Sequence, residues 1–224
     1  MAAPTIVFDL DGTLIDTAPD LVDTLNVVFA REGWPPVPYA TARNQIGGGA
    51  RMMIQRGVAA EGIAIAPEKL EQLFADFIVH YTEHIADRSR PFPGLIDALD
   101  ELASRGFRLA VCTNKLERLS LRLLKQLNLA ERFAFVCGQD TFGMQKPDPE
   151  VLRRTVAAAG GDLTQAIMIG DSITDICTAR AAGIPIIAVD FGYSDLPISE
   201  LGADRIISHF AQLRSAIAAI SPAI

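Results

Sequence analysis

Two aspartates, Asp9 and Asp11, have the residue type and spacing that most directly predict chemistry in this sequence. They follow a short apolar run at residues 6–8 that is typical of a buried strand, and Gly12 comes directly after them. The carboxyl edge of an open α/β sheet is where ligands bind. Two carboxylates this close repel each other unless a divalent cation lies between them or one carries a proton. A phosphoryl-transfer site can use both solutions, whereas a strand end that only caps the next helix uses neither.

Polar residues also follow three later apolar runs. Thr113 and Asn114 come after one predicted strand, where a hydroxyl, an amide and free helix N–H groups make a good anion site, although taken alone they are explained by a simple helix cap. Lys146 lies next to prolines that restrict its backbone. Asp171 ends another predicted strand and Asp175 follows one helical turn later. Together these residues predict a cluster of acids, a cation and anion-binding groups at one sheet edge.

The elements that would position these residues alternate regularly after residue 88. Predicted strands cover residues 6–8, 108–112, 133–137, 166–169, 185–189 and 205–207. Predicted helices cover residues 95–105, 116–127, 150–159, 173–182 and 211–220. Repeated strand–helix units of this kind predict the α/β class, with a Rossmann-like parallel sheet core covered by helices on both faces.

Residues 18–88 contain no clear strand. Apolar residues recur there with a helical period, most clearly over residues 19–32 and 67–85. An all-helical block between two stretches of alternating strands and helices predicts an inserted helical cap domain over residues 17–88. The core domain is then formed by residues 1–16 and 89–224, and the two linkers between core and cap are expected to act as hinges.

Composition excludes several classes of function. Half of the 224 residues are hydrophobic and 21% are charged, which suits a packed globular core. The net charge of −7 argues against a nucleic-acid surface, and no apolar run has the length of a membrane span. The amino-terminal residues lack the pattern of a signal peptide, so we expect a cytoplasmic protein.

The three cysteines, Cys112, Cys137 and Cys177, have no pair spacing and are expected to be buried free thiols.

The order of these polar groups resembles the haloacid dehalogenase superfamily, most of whose members are phosphatases. Residues 9–13 look like its first motif, Thr113 its second, Lys146 its third and residues 170–175 its fourth. The similarity covers nearly the whole chain. Dehalogenases of the superfamily lack an acid at the position of Asp11, so the resemblance favours phosphoryl transfer.

The resemblance implies a mechanism. Asp9 would be the nucleophile that forms an aspartyl-phosphate, and Asp11 would protonate the leaving group and later activate water. A Mg²⁺ ion would be held by Asp9, the backbone carbonyl of Asp11 and Asp171, with support from Asp175. The transferring oxygens would be bound by Thr113, Asn114 and Lys146.

Within the superfamily the sequence is most similar to bacterial phosphoglycolate phosphatases, through residues 8–16, 46–49 and 112–115 and the Gly192-Tyr193 pair. This implies hydrolysis of 2-phosphoglycolate, a small phosphorylated metabolite, by a monomer or homodimer. The alternatives are a sugar-phosphate or N-acetylmuramate 6-phosphate phosphatase, a phosphomutase of the same superfamily and, in another class, a non-catalytic phosphate-binding module. Thr174 and Gly48 depart from the family pattern, which usually has Asn at both positions.

Substrate choice is expected to lie in the helical cap. The loop of Gly47, Gly48 and Gly49 can bring its backbone close to a small ligand. Arg43 and Arg51 flank this loop, and either is a candidate partner for a substrate carboxylate. The alternative for both arginines is a solvated helix charge.

Overall fold

The order of strands and helices follows the predicted alternation. The computed structural model describes residues 3–44, 46 and 48–220. The strands are β1 (Thr5–Phe8), β2 (Ile15–Asp16), β3 (Arg90–Pro91), β4 (Arg108–Cys112), β5 (Phe135–Cys137), β6 (Ala166–Gly170), β7 (Ile186–Val189) and β8 (Arg205–Ile207). The α-helices are α1 (Ala18–Arg31), α2 (Tyr39–Arg43), α3 (Ala50–Ala60), α4 (Pro67–Glu83), α5 (Leu95–Ser104), α6 (Glu117–Gln126), α7 (Pro149–Ala158), α8 (Ile173–Ala182) and α9 (Leu213–Ile220).

Six strands form one parallel sheet in the order β5-β4-β1-β6-β7-β8. Strand β1 lies in its interior, where Ile6 pairs with Leu109 of β4 and with Ile167 of β6. The carboxyl ends of β4, β1 and β6 are therefore neighbours at one edge. The segments that follow these three strands carry the acids and the Thr113-Asn114 pair singled out in the sequence, and Lys146 lies in the segment that follows β5.

Helices cover both faces of this sheet. Successive side chains of each strand point to opposite faces, so each strand packs against both layers of helices. Ile6 and Phe8 belong to one apolar cluster, which also contains side chains of α5, α6 and α9. Val7 points to the opposite face and belongs to a second cluster with side chains of α7 and α8. The predicted α/β class, with a parallel sheet between two layers of helices, is confirmed.

Helices α1 to α4 form a helical insert between β2 and β3. Within the described part of residues 18–88 no strand is present, as predicted. Helix α4 packs against α1 and α3, and its stripe of Leu73, Phe77 and Tyr81 is buried. The division into a core domain and a cap domain at residues 17–88 stays a prediction.

The two chain segments that connect the insert to the sheet lie side by side. Strands β2 and β3 pair in antiparallel fashion, with Ile15 opposite Pro91 and Asp16 opposite Arg90. The buried carboxylate of Asp20 in α1 accepts hydrogen bonds from the N–H of Arg88 at 2.9 Å, and from the N–H and hydroxyl of Ser89 at 2.8 and 2.6 Å. The chain therefore enters and leaves the insert at one tethered point.

The cysteines differ in part from the prediction. Cys112 and Cys137 are buried, and they lie opposite each other in the β4–β5 pairing despite their separation in sequence. The expectation that Cys177 is buried was wrong, because it is exposed on α8. Its neighbours Ile176 and Thr178 are buried, and a rotation of about 100° per residue turns the side chain between them toward solvent.

Several element boundaries also differ from the predicted ones by one or two residues. Strand β5 begins at Phe135 and not at residue 133, because residues 130–132 form a 3₁₀ turn. Helix α4 ends at Glu83, two residues before the predicted end. Among the described residues, no helix combines the length and the apolar character that crossing a bilayer requires.

Candidate active site

Asp9 and Asp11 lie on the turn that leaves β1. The N–H of Asp9 still bonds to the carbonyl of Ile169 at 2.9 Å, which extends the sheet ladder to the first acid. Gly12 then adopts φ +82°, and a Cβ there would lie 2.3 Å from Oδ2 of Asp171. Only glycine therefore lets this turn approach the carboxylate that follows β6.

Lys146 joins the acids of two different strand ends. Its Nζ lies 3.0 Å from Asp9 Oδ1 and 2.5 Å from Asp175 Oδ1, and the side chain is buried. Burial alone lowers the pKa of Lys146, but the two carboxylates outweigh it and the pKa is raised. Asn114 holds this segment in place, since its amide bonds both the carbonyl and the N–H of Lys146, at 3.0 and 2.9 Å. Lys146 is therefore a fixed cation beside Asp9.

Asp175 lies in the first turn of helix α8 and forms a capping box with Ser172, the residue that caps the helix. Its Oδ2 accepts the Ser172 hydroxyl at 2.6 Å and the N–H of Asp171 at 3.2 Å, while Oδ1 faces Lys146. Asp171 accepts a bond from the N–H of Tyr193 at 2.7 Å and one from the Thr13 hydroxyl at 3.2 Å. The structure therefore orients both acids of the fourth motif from several elements.

Three carboxylates form a candidate metal site. Oxygen atoms of Asp9, Asp171 and Asp175 all lie within 4.8 Å of one another. Burial raises the pKa of Asp9 to about 6, although Lys146 opposes this. Burial, with the charges of Asp175 and Asp9, raises the pKa of Asp171 to about 8. A divalent cation would offset this crowding of negative charge, and oxygen donors are those that Mg²⁺ prefers. The residues present therefore fit a magnesium ion.

A small cavity of about 40 Å³ opens between these groups. It is lined by Asp9, Asp11, Ile46, Gly48, Gly49, Thr113, Asn114, Lys115, Lys146, Asp171, Ser172, Thr174 and Tyr193. Thr113 is buried at the end of β4, and its backbone N–H bonds to the carbonyl of Cys137 at 3.0 Å. The candidate core residues thus line one cavity except for Asp175, which is fully buried and paired with Lys146, and Thr174 lines the cavity as well.

Lys115 is a member of this site to which the sequence analysis assigned no role. Its Nζ lies 3.0 and 3.1 Å from the two carboxylate oxygens of Asp11, and 2.9 Å from the hydroxyl of Tyr81. The available signal was its place directly after Thr113 and Asn114 at the end of a strand. Its partner Asp11 lies 104 positions earlier in the chain, and no local sequence pattern indicates this contact.

The glycine loop of the insert approaches the same site. Gly48 and Gly49 line the small cavity, and Gly49 has φ +92°. A Cβ on Gly49 would lie 3.3 Å from the backbone oxygen of Asn114, so the loop lies close against the core. Gly47, also named from the sequence, lies outside the described residues.

The two arginines that flank the loop are engaged elsewhere. Arg51 donates two hydrogen bonds to Glu71, at 2.8 and 2.7 Å, and its guanidinium lies 3.7 Å from the centre of the Phe74 ring. Arg43 donates to the carbonyl of Phe191 at 2.9 Å and lies over the ring of Tyr193. A substrate-binding role for either arginine stays a prediction.

The family follows from comparison with known proteins. Residues 6–189 match the family model described as haloacid dehalogenase-like hydrolase. The chain belongs to this family. The resemblance inferred from the four motifs is thereby confirmed, since the matched residues include all four motifs.

Similar proteins match the chain over most of its length. A protein named phosphoglycolate phosphatase from Mesorhizobium japonicum is 49% identical over 213 residues, which are 95% of this chain and 94% of that protein. One of the same name from Caulobacter vibrioides is 46% identical over 212 residues, 95% of this chain and 90% of that protein. A solved structure described as a predicted phosphoglycolate phosphatase, from Haemophilus somnus, has a TM-score of 0.88 at 27% identity, covering 95% of this chain and 97% of that one.

Proposed function

We propose that this protein is a Mg²⁺-dependent phosphatase that hydrolyses 2-phosphoglycolate to glycolate and phosphate. One observation carries the chemistry, namely that the Asp9 carboxylate lies beside the Lys146 ammonium and the Asp171 carboxylate on a shared cavity. The names of the relatives that are 46–49% identical support the substrate.

In the proposed first step Asp9 attacks phosphorus while the bond from phosphorus to the alkyl oxygen breaks, which leaves an aspartyl-phosphate. Asp11 gives its proton to the departing alkoxide. In the second step Asp11 takes a proton from water, which attacks phosphorus and releases phosphate and the Asp9 carboxylate. Magnesium, held by Asp9, Asp171 and the backbone carbonyl of Asp11 and supported by Asp175, would offset the charge between carboxylate and phosphate.

Three further residues support the transfer. Lys146 and Thr113 line the cavity, and their ammonium and hydroxyl groups would bind phosphoryl oxygens as charge develops. Asn114 holds the Lys146 backbone through two hydrogen bonds, so we assign it first to positioning that cation. Direct contact between Asn114 and phosphate stays a prediction from the family motif.

A second candidate substrate follows from the size of the neighbouring cavity. That cavity measures about 200 Å³ and is lined by the helical insert and by Asp11. It has room for more than a glycolate group, so a sugar phosphate or N-acetylmuramate 6-phosphate is the alternative. A phosphomutase shares the same core, whereas a non-catalytic module is disfavoured because both acids, Asp9 and Asp11, are present.

We also propose that the protein acts in the cytoplasm, as a monomer or homodimer, on a small phosphorylated metabolite. The buried free thiols of Cys112 and Cys137 support a reducing compartment. The net charge of −7 argues against nucleic acid as a partner.

The test is phosphate release with and without Mg²⁺ from 2-phosphoglycolate, hexose phosphates, N-acetylmuramate 6-phosphate and pyrophosphate. Asp9→Asn is the matched control, since it keeps the size of the side chain and removes the nucleophile. Preference for phosphoglycolate that is lost in Asp9→Asn would support the proposal. A stronger response to a larger sugar phosphate would keep the mechanism and replace the substrate, and no turnover by the folded protein would overturn both.

A further inference from the structure

The ammonium group of Lys115 lies where two cavities meet. One is the small cavity beside Asp9, and the other is the larger cavity under the insert, and both are lined by Lys115 and Asp11. The Lys115 side chain is only 5% exposed. A cation buried between the site of bond cleavage and the space beyond it is well placed to recognise an anionic leaving group.

The path of the leaving group follows from the position of Asp11. The leaving oxygen must come within hydrogen-bond reach of this acid. The proposed mechanism places the phosphoryl group in the small cavity, and the carbon atoms attached to the leaving oxygen would then extend into the larger one. The wall of the larger cavity supplied by the insert is mostly apolar, with Met53, Phe77 and Ile78, and its polar side chains are those of Arg51, Gln55 and Tyr81.

We propose that Lys115 binds the carboxylate of the substrate and thereby sets the preference for α-carboxylate phosphomonoesters. This inference rests on the proposed function. Single bonds are about 1.5 Å long, so the carboxylate oxygens of phosphoglycolate lie about 3 Å from its bridging oxygen. Lys115 Nζ lies 3.0 and 3.1 Å from the Asp11 oxygens that the bridging oxygen must approach. Both contacts are therefore within reach of one short substrate.

Binding would exchange partners at Lys115. The substrate carboxylate takes hydrogen bonds that Lys115 gives to Asp11, and the Asp11 oxygens then face the bridging oxygen. The hydroxyl of Tyr81, 2.9 Å away, remains as the second partner of the ammonium. Tyr81 belongs to α4, so the helical insert must stay packed on the core for the full set of contacts to form.

The two flanking arginines are weaker candidates for this role. The Arg51 side chain is 46% exposed and already paired with Glu71, so solvent and an existing carboxylate compete with any substrate. Among the described residues, those that line the larger cavity do not include Arg43. Lys115 differs from both in being buried and in direct contact with the acid that serves the leaving group.

The test compares 2-phosphoglycolate with 2-hydroxyethyl phosphate, which has a similar length and no carboxylate. In Lys115→Met we expect the ratio of kcat/KM for the two substrates to fall by about 10- to 100-fold, the usual effect of one charge-assisted hydrogen bond. Lys115→Arg should recover part of the ratio, and Lys115→Gln serves if the Met variant does not fold. Lys125→Met, which removes an exposed lysine of α6, should leave the ratio unchanged.

The outcomes separate this inference from the proposed function. A wild-type preference for phosphoglycolate that persists in the Lys115 variants would overturn the inference alone. Equal losses on both substrates would also overturn it, because Lys115 would then only position Asp11. A selective loss in Arg51→Gln with none in Lys115→Met would move the role to the arginine. A wild type without preference for the carboxylate would overturn both the inference and the proposed substrate.

Discussion

Lys146 and Asp175 form a buried ion pair, with Nζ and Oδ1 2.5 Å apart. The other oxygen of Asp175 caps α8 through Ser172, so the start of this helix is tied to the cation that faces Asp9. The geometry of the fourth motif and that of the third are therefore not independent.

Removing one partner of this pair should cost stability as well as activity. Lys146→Met would leave the Asp175 carboxylate buried without its cation, and we expect the free energy of unfolding to fall by about 3 kcal/mol. Urea unfolding measures this change in the free energy of unfolding. The double variant Lys146→Met/Asp175→Asn removes both charges and should lose clearly less than the sum of the two single changes. Simple additivity would show that the two side chains do not stabilise each other.

The role of Asp11 can be tested through the leaving group. In Asp11→Asn we expect kcat/KM for 2-phosphoglycolate to fall by about 10²- to 10⁴-fold, because an alkoxide needs a proton to depart. For p-nitrophenyl phosphate the fall in kcat/KM should be much smaller, since p-nitrophenolate departs without being protonated. Steady-state kinetics on both substrates give the result. Losses of the same size on the two would contradict proton donation by this residue.

The crowded acids predict how pH affects the metal-free protein. The pKa of Asp171 is about 8 in the folded chain against 3.8 in the unfolded chain, and that of Asp9 is about 6 against 3.8. The folded state therefore keeps these protons to higher pH, and their contribution to stability is complete below about pH 4 and is lost as the pH rises to about 8. We expect the thermal stability contributed by these two groups to fall over that range.

Magnesium should reverse this loss, because it replaces the protons. The increase in Tm on adding Mg²⁺ is expected to be larger at pH 8 than at pH 5. Asp171→Asn is the control, and it should remove most of the difference between the two pH values. An increase that is the same at both pH values in the wild type would show that protons and metal do not compete at this site.

Gly12 offers a matched test of the close approach between two motifs. Gly12→Ala would place a methyl group 2.3 Å from Asp171 Oδ2, in a backbone conformation of φ +82°. Gly33→Ala has a similar φ of +73° and nothing within 4 Å. The left-handed backbone should destabilise both variants by about 1–2 kcal/mol, and the overlap with Asp171 should destabilise Gly12→Ala further. Only Gly12→Ala should also weaken Mg²⁺ activation, measured as the Mg²⁺ concentration for half-maximal rate. Equal Mg²⁺ responses in the two variants would contradict the predicted contact.

The local features of the fold could be predicted because they depend on short-range patterns. The apolar run before Asp9 and the helical stripe ending near Tyr81 both lie where periodicity indicated. The four polar strand ends converge because parallel strands share an edge. Their order within the sheet, with β1 between β4 and β6, could not be derived, since it depends on pairings between distant segments.

The missed features share a physical cause. Tyr81 lies within the predicted amphipathic helix and is buried there, but its hydroxyl reaches Lys115 on another element. Cys112 and Cys137 showed no pair spacing along the chain, yet the β4–β5 register makes them neighbours. Such contacts depend on tertiary packing between segments that are far apart in sequence, and they have no local signature.

The pairing of β2 with β3 has a consequence for how this protein can be altered. Since Ile15 and Pro91 are opposite each other, the segment between them can be exchanged or shortened without changing the distance its two ends must span. Modules of different size could thus be joined to an unchanged sheet. The same catalytic core could in this way acquire a new range of substrates through replacement of a single contiguous stretch of gene.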